Sequence, residues 1–436
     1  MTSTEYDPAG EVVDLCRDLI RIDTTNTGDD SGPGERKAAE HVAALLDEVG
    51  IEAEIYEGTP GRSNVVARWG GDGTTQDALL LHGHLDVVPA NADDWTVPPF
   101  SGEIQDGYLW GRGAVDMKDF DAILLSVVRA RTRAGNLPAR PMVLCFTADE
   151  EAGGHLGAQQ VVDIRPDLLE GCTEAVGEVG GFSVTIRDRR LYLIETAEKG
   201  MAWMRLTARG HAGHGSMRHP DNAVTAVAAA VARVGAHDWP VRLTEPMRVL
   251  LASIGEIAGV EATPENAEAL VEEFGPAARM MSAVLRNTAN PTMLEAGYKV
   301  NVVPGAATAR VDGRFLPGEQ DQFLDTIREL VGEEVSVEFD SLQPGLETTF
   351  DGALVDAMTA SLLEEDPDGV VAPYLMSGGT DAKHWNKLGI RCFGFTPLRL
   401  PADLDFTALF HGVDERVPVD GLAFGARVFD RFLDRA

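Results

Sequence analysis

The chain has 436 residues, 44% of them hydrophobic, and its 37 Lys and Arg against 70 Asp and Glu give a formal net charge of −33. That length predicts about two or three domains at roughly 100–200 residues each. So acidic a surface excludes nucleic acid and anionic membrane as general partners, because phosphate backbones and lipid headgroups carry the same sign.

Mean hydropathy is −0.09, and no apolar run approaches the ~18 residues of a membrane span. The opening MTSTEYD has neither the basic nor the apolar region of a signal peptide. Cys16, Cys145, Cys172 and Cys392 make no CxxC pair and read as reduced thiols of a cytoplasmic protein.

An amphipathic helix is predicted over residues 11–20, then a Thr/Asn/Gly/Asp-rich loop over 23–34, then a second helix over 35–49 stopped by Gly50. Short apolar strands follow at 64–69, 78–81 and 141–147, with a helix at 120–134 between the last two. Strand and helix in alternation predict an α/β domain: a mixed, largely parallel sheet between helices. From about residue 198 the texture changes. A half-exposed strand at 201–208, an Ala-rich helix at 222–234, a mostly helical and irregular stretch at 240–297, a strand pair at 300–315 around Pro304-Gly305, a helix at 321–330 and a strand at 334–339 together predict α+β. The expected organisation is a catalytic domain over 1–197 and 346–436, with an inserted domain over 198–345.

Three stretches carry chemistry. LLLHGHLD at 79–86 ends an apolar strand in His84 and puts Asp86 two residues on, on the same face of extended chain. GRGAVDMK at 111–118 sets Asp116 at a helix start, and VLCFTADEEAGG at 143–154 runs a buried strand into Asp149, Glu150 and Glu151. Each has a plain structural reading: a capped turn, an N-cap and an exposed acidic loop. Glu178 follows another short apolar run, and His411 lies in FHGVDE near the C-terminus. Carboxylates clustered at strand ends repel one another unless a cation intervenes, and ligands of α/β sheets sit at those ends. Two histidines with several carboxylates suit a zinc pair, each ion with three protein ligands and room for a shared water. One bridging carboxylate and one uncoordinated acid would complete a hydrolase.

In their order and wording these motifs resemble the zinc-dependent exopeptidase family of acetylornithine deacetylase, succinyl-diaminopimelate desuccinylase, aminoacylase, carboxypeptidase S and the glutamate carboxypeptidases. Further matches are GHAGHGS at 210–216, Asn222-Ala223, NVVP at 301–304, Asp312-Gly313-Arg314 and Gly378-Gly379-Thr380-Asp381. The resemblance covers nearly the whole chain.

It implies that His84 and Glu178 hold one zinc, Glu151 and His411 the other, and that Asp116 bridges them, with cobalt or manganese able to substitute. Glu150 would be the general base and Asp86 would orient His84. His214 would reach the substrate carbonyl, Asn301 and Arg314 its carboxylate end, with Gly379 and Thr380 beside it. The inserted domain would be lid and dimerisation surface, giving a homodimer with His214 contributed across it. A cis peptide is implied at Asp116–Met117. Two departures stand out: Asp119-Phe120 where the family has small glycines, and the long 240–297 stretch, which is closer to carboxypeptidase S and could replace the partner in a monomer.

The expected function is therefore hydrolysis of an N-acyl amino acid or small peptide. The alternative is a non-catalytic metal-dependent binding protein, which loss of Glu150 or a ligand would signal. A nucleotide-binding oxidoreductase finds no GxGxxG after the first strand. Nothing in the sequence selects among acetyl, succinyl, fatty acyl and aminoacyl groups.

Overall fold

A computed structural model describes residues 6–29, 31–75 and 77–436. Most of the opening segment on which the expected lack of a leader rests, residues 1–5, lies outside them. No helix among the described residues is long and apolar enough to cross a membrane.

The larger body is built on a ten-stranded mixed sheet. Its centre is parallel: Ala78–His84 lies between Pro141–Thr147 and Cys172–Gly177, and Arg391–Gly394 runs beside Cys172–Gly177. Antiparallel neighbours close one side through Arg62–Gly70 and Ala53–Thr59. All seven residues of Ala78–His84 are buried, as a parallel strand covered on both faces requires. Val12–Arg21, Lys118–Ala134 and Val419–Leu433 pack together on one face; Ala158–Ile164 and Ala382–Trp385 cover part of the other. Lys118–Ala134 stops at Gly135, in the left-handed conformation at φ 71° that glycine adopts freely. Just before this helix the Asp116–Met117 peptide is cis.

A separate antiparallel sheet forms the lid, in the order Thr288–Ala296, Ala306–Phe315, Gly200–Arg209, Val335–Gln343. Its strands alternate buried and open residues, and Ala223–Gly235 with Gln320–Val331 cover only the buried face. The strands expected to pair around Pro304-Gly305 do not. Val302–Val303 pairs with Gly213–His214, whereas Ala306–Phe315 enters the lid sheet.

Within the 198–345 interval the packing divides. Helices Glu245–Ala258, Ala267–Val271 and Ala278–Ala283 turn Met247, Leu250, Ile254, Leu270 and Met281 into the core of the larger body, not that of the lid. Glu245–Ala258 lies along Val370–Met376.

The loop after Pro141–Thr147 is closed tightly. A Cβ at Gly157 would stand 1.7 Å from the Ala148 carbonyl oxygen. Gly157→Ala must displace backbone, and overpacking of this kind costs about 1–3 kcal/mol. Scanning calorimetry is expected to show a lower unfolding midpoint; an unchanged one would mean that the loop has slack.

Candidate active site

The parallel strands end along one edge, and the acids and histidines gather there. His84 is the last residue of its strand, Glu150 and Glu151 form a 3-10 turn beyond Thr147, and Glu178 follows Gly177. Asp116 comes from the loop before Lys118–Ala134, and His411 from a loop near the C-terminus. Asp149, Val179 and His411 have φ of 66°, 54° and 58°. Left-handed backbone is unfavourable for non-glycine residues, most of all for a β-branched one, and such conformations cluster at functional sites.

Asp116 stands between two groups. Its Oδ1 is 3.0 Å from His84 Nε2, which is 3.4 Å from Glu178 Oε2. Its Oδ2 is 3.2 Å from His411 Nε2, which is 3.0 Å from Glu151 Oε2. Within each triad the ligand atoms lie within 4.8 Å of one another. One nitrogen and two carboxylates per triad, one carboxylate shared, is a donor set that fits two divalent cations with open positions.

The electrostatics agree with that fit. Burial raises Glu150, Glu178 and Glu151, the last to about 7. Burial also acts to raise Asp116, but hydrogen bonds with His411 and His84 outweigh it and leave this carboxyl low. His84 would be lowered by burial, yet Glu178 and Asp116 raise it. Hydrogen bonds to Asp116 and Glu151 lift His411 to about 10. So much unbalanced charge is what a cation relieves.

Behind these groups lies a layer of positioning contacts. Asp86 is fully buried, and its carboxylate accepts from the backbone amides of Glu150 and Glu151, at 3.1 Å each, and from Asn26 Nδ2 at 2.8 Å. The closest contact of His84 Nδ1 is the Asp86 carbonyl oxygen at 3.0 Å, with the carboxylate at 3.6 Å. Asp86 therefore holds the 150–151 turn as much as the histidine. Asn26 Oδ1 accepts from Arg62, whose Nη1 also meets Glu35. Glu415 accepts from the amides of Gly113, Val115 and Asp116 and from Arg112 Nη1 at 2.6 Å. Sequence reasoning missed Asn26 and Glu415, although Glu415 lies four residues beyond His411.

A cavity of about 500 Å³ opens over the centre. Glu150, Arg314, Gly379 and Thr380 line it, together with Lys383, which the sequence reading passed over. Arg314 is paired with Asp312 at 2.7 Å, and the Thr380 hydroxyl donates to Glu198. His214 and Asn301 are not in its wall. Both are exposed on the lid, where His214 Nδ1 meets Ser216 Oγ at 2.8 Å and the Asn301 carbonyl accepts from Gly215. A hollow of about 590 Å³ on the open lid face, around Arg205, Arg310 and Asp340, contains none of the convergent ligands.

The model of peptidase family M20/M25/M40 matches residues 80–435. The chain is 27% identical to the N-fatty-acyl-amino acid synthase/hydrolase PM20D1 of Xenopus tropicalis, over 94% of this chain and 83% of that protein. It is 27% identical to aminoacylase-1 of Sus scrofa, over 97% and 94%. In fold it is similar to an M20 family metallo-carboxypeptidase from Sulfolobus solfataricus, with a TM-score of 0.73 and 18% identity over 98% of this chain and 99% of that one.

Loss of a partner that orients metal ligands typically weakens metal affinity 10–100-fold. Asp86→Asn keeps the size but removes the charge and one acceptor. Competition with a chelator is expected to show weaker binding by about that factor; wild-type affinity would remove Asp86 from the support of the centre.

Proposed function

The chain belongs to peptidase family M20/M25/M40 and is a metal-dependent amidohydrolase or exopeptidase; from that premise we propose that it hydrolyses the amide bond of an N-acyl amino acid or small peptide, with Glu150 as general base beside two zinc ions. The observation that carries this reading is the pair of triads sharing Asp116, with Glu150 in the same cavity and in neither triad. His84 and Glu178 would hold one ion, Glu151 and His411 the other, and Asp116 both. Bound there, zinc, or cobalt or manganese in its place, would supply polarisation of the amide carbonyl and a water whose pKa is lowered to about 7. Glu150 takes the proton of the attacking water and returns it to the leaving nitrogen. Its backbone amide bonds Asp86 at 3.1 Å, so the carboxylate stays aimed into the cavity. Arg314 and Lys383, which with Lys199 bring positive charge to the cavity wall, bind the substrate carboxylate beside Gly379 and Thr380.

His214 acts from a second copy. The lid presents His214 and Asn301 outward, next to Tyr298 and Val300, which are 84% and 104% exposed. The edge strand Thr288–Ala296 pairs on one side only and shows Met293 and Leu294 to solvent. An open edge of this kind pairs readily with another chain, which supports a homodimer through the lid. The four cysteines form no disulfide, which supports the cytoplasm.

Glu150→Gln keeps the shape but cannot accept the proton. It is expected to retain both metals while losing the 10²–10⁴-fold typical of general-base work, read by metal analysis and kcat. A fully active Gln variant would move the base elsewhere, Asp149 first.

For His214 the check is complementation. His214→Ala and Glu150→Gln chains, each inactive alone, should recover activity when mixed, because a mixed dimer contains one site with both groups intact. A mixture that exchanges subunits and stays inactive would place His214 in its own chain's site or in none.

A further inference from the structure

The cavity over the candidate centre is lined by two kinds of side chain. Beside the acids, Lys199, Arg314 and Lys383, its wall carries Phe182, Phe410, Met201, Met280, Met376 and Trp203. The aromatic side is fixed: Phe182 and Phe410 both pack on Phe406, with ring centroids 5.1 and 5.3 Å apart. The three methionines come from three separate places. Met201 lies on the first lid strand, Met376 ends a strand of the large sheet, and Met280 sits on Ala278–Ala283, within the helical segment that leaves the lid and returns to it.

That segment reaches the cavity for identifiable reasons. Residues 272–277 pack against the strand Phe182–Ile186 and the turn Phe406–Ala408, the elements that carry the aromatic wall. The chain kinks there at Gly275, whose φ of 57° and ψ of −121° suit glycine. Beyond the kink, Lys199 Nζ donates to the carbonyls of Ala283 and Arg286, at 3.0 and 2.8 Å. The helix bearing Met280 is thus clamped at the junction between the two bodies, and half-buried Met280 contributes to the cavity wall.

We infer that these apolar side chains bind an apolar group of the substrate, and that Met280 sets how large a group the cavity takes. The inference rests on the hydrolase reading and names its substrate class: amides in which an apolar chain or ring lies on one side of the scissile bond and a carboxylate on the other. The group is either the acyl chain or the amino-acid side chain, since both present the same chemistry to thioether and phenyl. Methionine is unbranched and polarizable and adapts to irregular partners, so the wall accepts a range of shapes. Each methylene buried there raises kcat/KM by about threefold to fourfold until the group meets Met280.

Two series separate the sources, with the metal-loaded protein: glycine N-acylated from acetyl to decanoyl, and N-acetyl amino acids from glycine through valine and leucine to phenylalanine. Wild type is expected to climb and level off along one series, which identifies the source. Met280→Ala should shift the preference between the largest and smallest members about tenfold toward the largest, and Met280→Phe about as far toward the smallest. Met280→Leu should behave as wild type, and melting curves of all three should coincide with it. Flat responses in both series, or Met280 variants that change every substrate by one factor, overturn the inference. Calorimetric titration with carboxylates from acetate to decanoate reads the same pocket without turnover. Affinity that rises with chain length and responds to Met280, in a protein that cleaves no amide of either series, sinks the hydrolase reading and keeps the pocket. Cleavage of the short substrates with no dependence on size does the reverse.

Discussion

Everything at the sheet edge depends on the shared carboxylate of Asp116, which faces a histidine from each of its oxygens. It fixes where the two triads stand relative to one another, so any error in its position is felt twice. The chain guards that position from behind: Glu415, fully buried, takes the Asp116 amide and those of Gly113 and Val115, with Arg112 balancing its charge. Asp86 does the same for the turn carrying Glu150 and Glu151. Two buried acids thus act as templates for backbone, which leaves the acids in front to face the cavity.

The residues that converge in the two triads were legible because they are written locally. A strand ends, and within a few residues an acid or a histidine follows; His84, Glu151 and Glu178 all obey that pattern. Asn26, Glu415 and Lys383 were not, because what makes them matter is a contact with residues far away in sequence. Asn26 meets Asp86 and Asp149 across 60 and 123 positions, and Glu415 meets Val115 across 300. The helices of 245–283 show the same limit in another form. Their spacing predicts a buried face, but periodicity does not say against which core it lies, and the answer is the larger body.

The two bodies divide the work by the kind of surface each supplies. The large sheet gives rigid strand ends, suited to groups that must be held to fractions of an ångström. The lid gives a sheet covered on one face, whose open side carries Met201, Trp203 and Arg314 to the cavity. Only the groups proposed to meet substrate come from it; every proposed metal ligand belongs to the other body.

The return of the 245–283 segment to the large body has a mechanical consequence. A lid made by one uninterrupted insertion is joined to its base by two passes of chain, whereas here the chain crosses between the bodies four times. Three of those crossings are fastened to each other, Lys199 to Ala283 and Arg286 and Arg242 to Leu285, while Asn287 is tied to Leu316 and Glu319. Two independent tethers let a flap both swing and twist. Four tethers, three of them laced together, resist twisting more than two would. A lid so tethered would hold His214 at a more constant heading toward a partner's site.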